Sequence, residues 1–440
     1  MNRHAVSLVR YDQPYEPVRR ALELCGGLER LDPGAKVFLK PNIVFWTASA
    51  PFPKWGVITT SRLMHDMVRL LKEHGVGDIT IVEGMVLGSA KDAGTTGHAF
   101  ESLGYNKLKQ RYGIKVLDAF ERPYQEMEVG EDMKLSFNAD VLEGDLVVSL
   151  PVMKTHAQTV VSLGLKNLKG LIDVKSRKRC HNADPDKDLH NWVSRLSLPL
   201  PPVLAVIDGT YTSEYGPGFD GIVHRRDLLV ASWDLLSADK VGATLLGHPP
   251  DTVPYLARAL EREDRPQDLS DVEIKGEPLE ENIQPHAWAF PYTEGGTLPL
   301  ALDKKGVQGL GYYKYDSTLC TYCSNTNGVV LAGILGAYNG EPFDQVEVLT
   351  GKIMQPRPGA NKTILLGKCM YQAHKDNPDI KEMIAVKGCP PKPEQIVQAL
   401  HQAGIMVDPA LFAHMEAMPA FFMKRYKDKP EFDENLFTVE

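Results

Sequence analysis

Four short apolar runs within the first 150 residues each end in polar or turn-forming residues. Val37-Phe-Leu39 stops at Lys40-Pro41-Asn42, and Asp78 to Val82 stops at Glu83-Gly84. Lys115-Val-Leu-Asp118 is the third, and Asp145-Leu-Val-Val-Ser-Leu150 runs into Pro151. Runs this short and this rich in Val, Ile and Leu suit strands covered on both faces. Parallel neighbours need a crossover of about a dozen residues or more. Helical spacing from Arg62 to His74, closed by Gly75 to Gly77, supplies one, and His98 to Gln110 supplies another. This rhythm predicts an α/β fold, a mostly parallel sheet flanked by helices.

In such sheets the polar residues just beyond the carboxyl ends of strands face the ligand crevice. The rule selects Lys40 and Asn42, then Glu83, then Lys154, Thr155 and His156. Asp208 follows the run Val203-Leu-Ala-Val-Ile207 in the same way. A strand end is polar by default, so the weight lies in the repetition. Next comes Leu163-Gly-Leu-Lys166-Asn167-Leu-Lys169-Gly170, where glycines flank lysines that can present N–H and ammonium groups to an anion. Neither a P-loop nor a Rossmann glycine fingerprint is present. Lys175 to Asp188 reads as a mobile loop or lid carrying His181, with His190 just past it. Ser213 to Gly218 reads as a tight loop whose one acid is Glu214, and His224 follows. Asp234 to Leu246 reads as an amphipathic helix with Asp239 near its polar side.

The last third is organised around thiols. Cys320-Thr-Tyr-Cys323, Gly367-Lys-Cys369 and Lys387-Gly-Cys389-Pro390-Pro391 supply four soft ligands, enough for zinc or an iron–sulfur cluster. Zinc ribbons pair two Cys-x-x-Cys knuckles, whereas one knuckle followed by dispersed cysteines and a final Cys-Pro favours a 4Fe-4S cluster, with zinc as the alternative. His374 could replace one cysteine. The runs Lys362-Thr-Ile-Leu-Leu366 and Glu382-Met-Ile-Ala-Val386 read as strands leading to Cys369 and Cys389, and Pro393 to Ala403 reads as a helix. The expected division is an α/β crevice domain over 1–275, a Pro- and Gly-rich linker over 276–311, and a smaller α/β iron–sulfur domain over 312–440. Cys25 is expected as a buried thiol and Cys180 as a thiol in a polar loop. The tail from Asp408 reads as an amphipathic helix docked on its own core, with a homodimer contact as the other use.

With 43% hydrophobic and 24% charged residues, a 440-residue chain is long enough for two or three domains. A net charge near −8 argues against nucleic acid and against a membrane surface as partners. The first ten residues lead into a strand-like run without an apolar signal core, so a cytoplasmic location is expected.

Lys40-Pro41-Asn42, the run Asp145 to His156 and Gly164-Leu-Lys166-Asn167-Leu-Lys-Gly170 together resemble the family known as domain of unknown function 362. Ile207-Asp208-Gly209 and Gly216-Pro217 continue the likeness, which spans roughly residues 36–275. Members often carry a ferredoxin-like cysteine cluster, so the resemblance implies a four-iron site; the dispersed cysteines here suffice for one cluster. A fainter similarity, in the Lys-x-His and the Gly-rich segment after it, is to nickel-dependent lactate racemases and implies an α/β crevice for a small anion.

The expected function is that of an iron–sulfur oxidoreductase acting on a small carboxylate-like anion. His156, Lys154 and Lys40 are its candidate catalytic residues. Asn42, Glu83, Thr155, Lys166, Asn167, Asp208 and Glu214 would bind substrate, Cys320, Cys323, Cys369 and Cys389 would hold the cluster, and a ferredoxin would donate electrons. The alternatives are a non-enzymatic electron carrier or metallocentre assembly factor, and a structural zinc protein.

Overall fold

The computed structural model describes residues 3–86 and 94–439, which leaves most of the Gly- and Ala-rich loop after Glu83 outside the described residues. The chain divides into two units. The first comprises Met1–Arg177, His190–Ala289 and Pro419–Glu440, and the second comprises Lys178–Leu189 and Phe290–Met418.

The first unit carries a ten-stranded, mostly parallel sheet flanked by helices. Its main path runs Val272–Gly276, His4–Arg10, Ile222–Ser232, Val203–Glu214, Leu146–Leu150, Lys36–Pro41, Asp78–Glu83 and Lys115–Asp118. From Val203–Glu214 onward the neighbours are parallel, as the crossover lengths require. Ile222–Ser232 is antiparallel to both of its neighbours. The Lys36–Pro41 strand lies between Leu146–Leu150 and Asp78–Glu83, so the strand order reverses there, the point at which open α/β sheets place a ligand crevice.

The Ser61–Glu73 helix shows how local sequence sets an element. Thr60 caps it by accepting from the Leu63 N–H, and Leu63, Met64, Met67, Val68, Leu70 and Leu71 form one buried face. His74 ends it, and Gly75 follows at φ 81°. The expected helix from His98 to Gln110 is instead two, Thr95–Ser102 and Tyr105–Tyr112. Gly104 at φ 74° breaks it, and a side chain there would strike Val439.

Other differences have a common origin in burial. Lys154, Thr155 and His156 do not hang beyond a strand end; they form the strand Val152–His156, which pairs with Val203–Glu214 and Val160–Ser162. Ser213 and Glu214 end the Val203–Glu214 strand rather than opening a loop. The Leu235–Leu245 helix is buried nearly all round, so Asp239 sits in the interior. It is held there by accepting from the Gly164 and Leu165 N–H groups at 2.7 and 3.0 Å. Burial pushes its carboxyl up to about 7. Cys25 is buried as expected, whereas Cys180 lies in the interior at the end of the helix Val174–Cys180.

The second unit has a four-stranded parallel sheet in sequential order, Leu310–Tyr312, Val346–Leu349, Lys362–Leu366 and Glu382–Val386. Val330, Ile334, Val348, Ile364, Val386, Ile396, Leu400 and Phe412 lie in its core. The tail is not one helix: Pro409–Ala413 belongs to this unit and Pro419–Phe422 to the first, where Tyr426, Leu436 and Phe437 enter the core. Among the described residues, no helix is long and apolar enough to cross a membrane.

Candidate functional site

The crevice end of the first unit holds one connected polar network. Lys40 Nζ lies 2.8 Å from Glu83 Oε1, and the two side chains are 1% and 3% exposed. The same ammonium donates to Pro41 O at 2.6 Å and reaches Asn167 Oδ1 at 3.4 Å. Asn167, in the short helix Gly164–Asn167, donates to Lys40 O at 3.0 Å and to Ser149 Oγ at 3.1 Å, and accepts from Asn42 Nδ2 at 3.2 Å. Glu83 also accepts from the backbone N–H groups of Ile43 and Gly84, both at 2.8 Å. Gly170 permits this packing: a Cβ there would fall 2.5 Å from Lys40 Cε and 2.7 Å from Glu83 Oε1. Asn42 Oδ1 stays a buried acceptor with no hydrogen bond, the kind of atom that ligand or ordered water satisfies in a folded protein.

Burial pushes Lys40 below the ordinary lysine value, although Glu83 opposes it. Lys154 is lowered for the same reason. Its Nζ donates to Val57 O at 2.8 Å, and burial, with Lys40 adding to it and Glu83 opposing, brings it down from 10.5 to about 7. The folded state therefore binds fewer protons than the unfolded chain between about pH 7 and 10.5, so stability should rise with pH across that window. Urea midpoints from pH 7 to 10 should show this rise, and Lys154→Met should flatten it; an unchanged slope in the variant would assign the rise elsewhere.

Beside Lys154, the Thr155 hydroxyl shares its one proton between Ser213 O at 3.2 Å and Ala287 O at 3.0 Å, a positioning role. His156 Nδ1 accepts from the Gln158 N–H at 3.1 Å, while its Nε2 lies 3.2 Å from Lys166 Nζ. An imidazole whose Nδ1 accepts carries its neutral-state proton on Nε2, here facing an amine.

The two remaining acids are held by other elements. Asp208 Oδ2 accepts from Thr60 N and Thr60 Oγ1, both at 2.8 Å, and Oδ1 accepts from Thr210 N at 3.0 Å. Asp208 thus ties its strand to the start of the Ser61–Glu73 helix. Glu214 Oε1 lies 2.7 Å from His224 Nε2, and Oε2 accepts from the Ala287 N–H at 3.0 Å. Burial works to raise Glu214, but the Ala287 N–H and His224 outweigh it and hold the carboxyl below its ordinary value. The His224 ring lies 5.0 Å from that of His286, whose Nε2 is 2.7 Å from Thr212 Oγ1. Sequence reasoning passed over His286 and Thr212. One lies in a stretch read as linker and the other beyond the apolar run Val203 to Ile207, in the polar second half of its strand, and nothing in the local pattern marks either.

In the second unit, three loops carry the four cysteines expected as ligands. Cys320 precedes the Thr321–Ala337 helix and Cys323 lies in its first turn, with Cys323 N donating to Cys320 O at 3.0 Å. Cys369 follows the Lys362–Leu366 strand, and Cys389 follows Glu382–Val386. The last two loops are joined by Gly367 N to Val386 O at 2.8 Å and Lys368 N to Gly388 O at 3.0 Å. A Cβ on Gly367, at φ 99°, would stand 3.4 Å from Cys323 Sγ and 3.7 Å from Pro391 Cγ, so the segment before Cys369 lies against both the knuckle and the segment after Cys389. Hydrogen bonding from Cys323 lowers Cys320, with Lys352 assisting. Cys323 is raised, chiefly by Cys320 and burial, and Cys369 and Cys389 add to the effect. All six cysteines are free thiols. His374 is turned away from a ligand role by a contact of 2.8 Å between its Nε2 and Met354 O. Among the described residues, no group of three or more His, Cys, Asp or Glu side chains stands where it could hold a metal ion.

Residues 37–244 match the model of the family described as Domain of unknown function (DUF362). A thylakoid-associated protein of Synechocystis is 28% identical over 263 residues, which cover 58% of this chain and 78% of that protein. The lactate racemase apoprotein of Thermoanaerobacterium thermosaccharolyticum aligns at 14% identity with a TM-score of 0.33. That alignment covers 57% of this chain and 58% of the racemase chain.

Proposed function

We propose that the chain is an iron–sulfur oxidoreductase acting on a small, carboxylate-like anion. The observation that supports this reading best is the meeting of the Cys320–Cys323 knuckle with the loops of Cys369 and Cys389, four thiols at the helix and strand ends of a small α/β unit. Zinc ribbons pair two Cys-x-x-Cys knuckles, and this chain has one, Cys320 to Cys323. One knuckle followed by the dispersed Cys369 and by Cys389-Pro390 is why the cluster is preferred. Cys320, Cys323, Cys369 and Cys389 would hold it, and when bound it would supply one-electron transfer.

In the first unit, the Lys40 charge is matched by Glu83, so Lys40 orients Asn42 and Asn167 rather than acting as the main anion receptor. Lys166 supplies the cation for the substrate, and Asn42 Oδ1 accepts from a substrate donor. His156 gives or takes a proton at Nε2. Lys154, with its ammonium near neutrality, adds a second proton-exchanging group.

Anaerobic purification tests this directly. About four iron and four sulfide per chain, with broad absorbance from thiolate-to-iron charge transfer, would uphold the cluster. A colourless protein with stoichiometric zinc would overturn it. With the cluster in place, viologen-linked assays over a panel of small carboxylates should find turnover. His156→Ala should then lose it by roughly a hundredfold or more, with iron content unchanged. Turnover undiminished in that variant would remove His156 from the chemistry. Iron without turnover on any acid, but with fast electron exchange to a ferredoxin, would favour the carrier reading.

A further inference from the structure

We infer that the segment 421–429, with the adjoining loop 219–222, forms a docking surface for an anionic lipid bilayer. This surface lies in the first unit and does not depend on the thiol centre. Phe421 and Ile222 are 67% and 49% exposed, among the most exposed large apolar side chains described. They belong to segments packed against each other: Phe422 meets Phe219 with ring centroids 5.4 Å apart, and Arg425 Nη1 donates to Asp220 O and Gly221 O, both at 2.8 Å. The segment is also anchored from below, since buried Tyr426 packs 4.8 Å from Trp55 and 4.8 Å from Phe432. Inward residues therefore fix the segment while Phe421, Lys424, Lys427 and Lys429 face solvent.

Charge identifies the occupant. The patch carries Lys424, Arg425, Lys427 and Lys429 against Asp220, Asp428 and the adjoining exposed Glu431, an excess of cations in a chain of net charge −8. Whole-chain charge argues against a membrane, but lipid headgroups respond to charge within about a Debye length, so a local cationic excess decides. A projecting aromatic ring beside lysines whose stems can lie along apolar surface is the chemistry of a shallow interfacial anchor. One ring and three or four cations give weak, reversible binding.

Sedimentation of the full chain with vesicles tests the inference. Phosphatidylcholine vesicles containing about a third phosphatidylglycerol should bind at least tenfold more protein than pure phosphatidylcholine at about 0.05 M salt. Binding should fall severalfold at about 0.5 M. Phe421→Ser and the charge reversal Lys424→Glu/Lys427→Glu should each reduce binding about tenfold with thermal unfolding unchanged, because these side chains are exposed. Equal binding to neutral vesicles, no binding at low salt, or variants that bind as well as the parent would overturn it. So would a change confined to the oligomeric state, which would assign the patch to a second copy of the chain.

Discussion

Replacing Lys40 with methionine is expected to destabilise the first unit by about 3–5 kcal/mol, measured by chemical unfolding. The substitution keeps the volume and much of the aliphatic packing but leaves Glu83 as a carboxylate in a site where it is 3% exposed. Its Ile43 and Gly84 N–H donors persist, yet they cannot replace an ammonium at 2.8 Å. Glu83→Gln in the same background should recover part of the loss by removing the uncompensated charge. Recovery would be incomplete, because an amide offers one acceptor oxygen to two backbone donors. The double-mutant cycle should give a coupling of about 2 kcal/mol. A Lys40→Met protein within about 1 kcal/mol of the parent would show that water reaches the pair and that the crevice is open there.

The second large effect concerns the thiols. Serine at any one of Cys320, Cys323, Cys369 or Cys389 should reduce retained iron and sulfide to a small fraction of the parent and bleach the charge-transfer absorbance. A hydroxyl is a far poorer ligand to iron than a thiolate, and the segment that carries the replaced cysteine would lose a point of attachment. Cys25→Ser and Cys180→Ser are the controls, since both thiols are buried and neither belongs to the proposed ligand set. They should keep the colour at some cost in stability. Iron that survives loss of Cys369 or Cys389 would show that the strand-end loops do not take part.

Local pattern determined a great deal about this protein. The Val- and Ile-rich runs ending in Lys40, Glu83 and Leu150 announced parallel strands, because side chains covered on both faces leave a continuous apolar stretch. The strands before Cys369 and Cys389, and the helix from Pro393, were equally legible. Lys40, Asn42 and Glu83 were selected by the strand-end rule and Asn167 by its glycine-flanked segment, and they do meet.

The tertiary structure decided which polar residues face one another, and so what each one does. Lys40 meets a carboxylate 43 positions away, Asp208 fastens a helix start 148 positions away, and Asp239 caps a turn 75 positions away. Lys154, Thr155 and His156 became a buried strand because Val203–Glu214 and Val160–Ser162 offered them ladders. Residues 178–189 and 419–440 cross between units against sequence order. Periodicity reports whether a face is covered, which is a property of neighbours along the chain. The charge state and role of a buried polar group depend on the partner brought to it through space, and no window of sequence contains that partner.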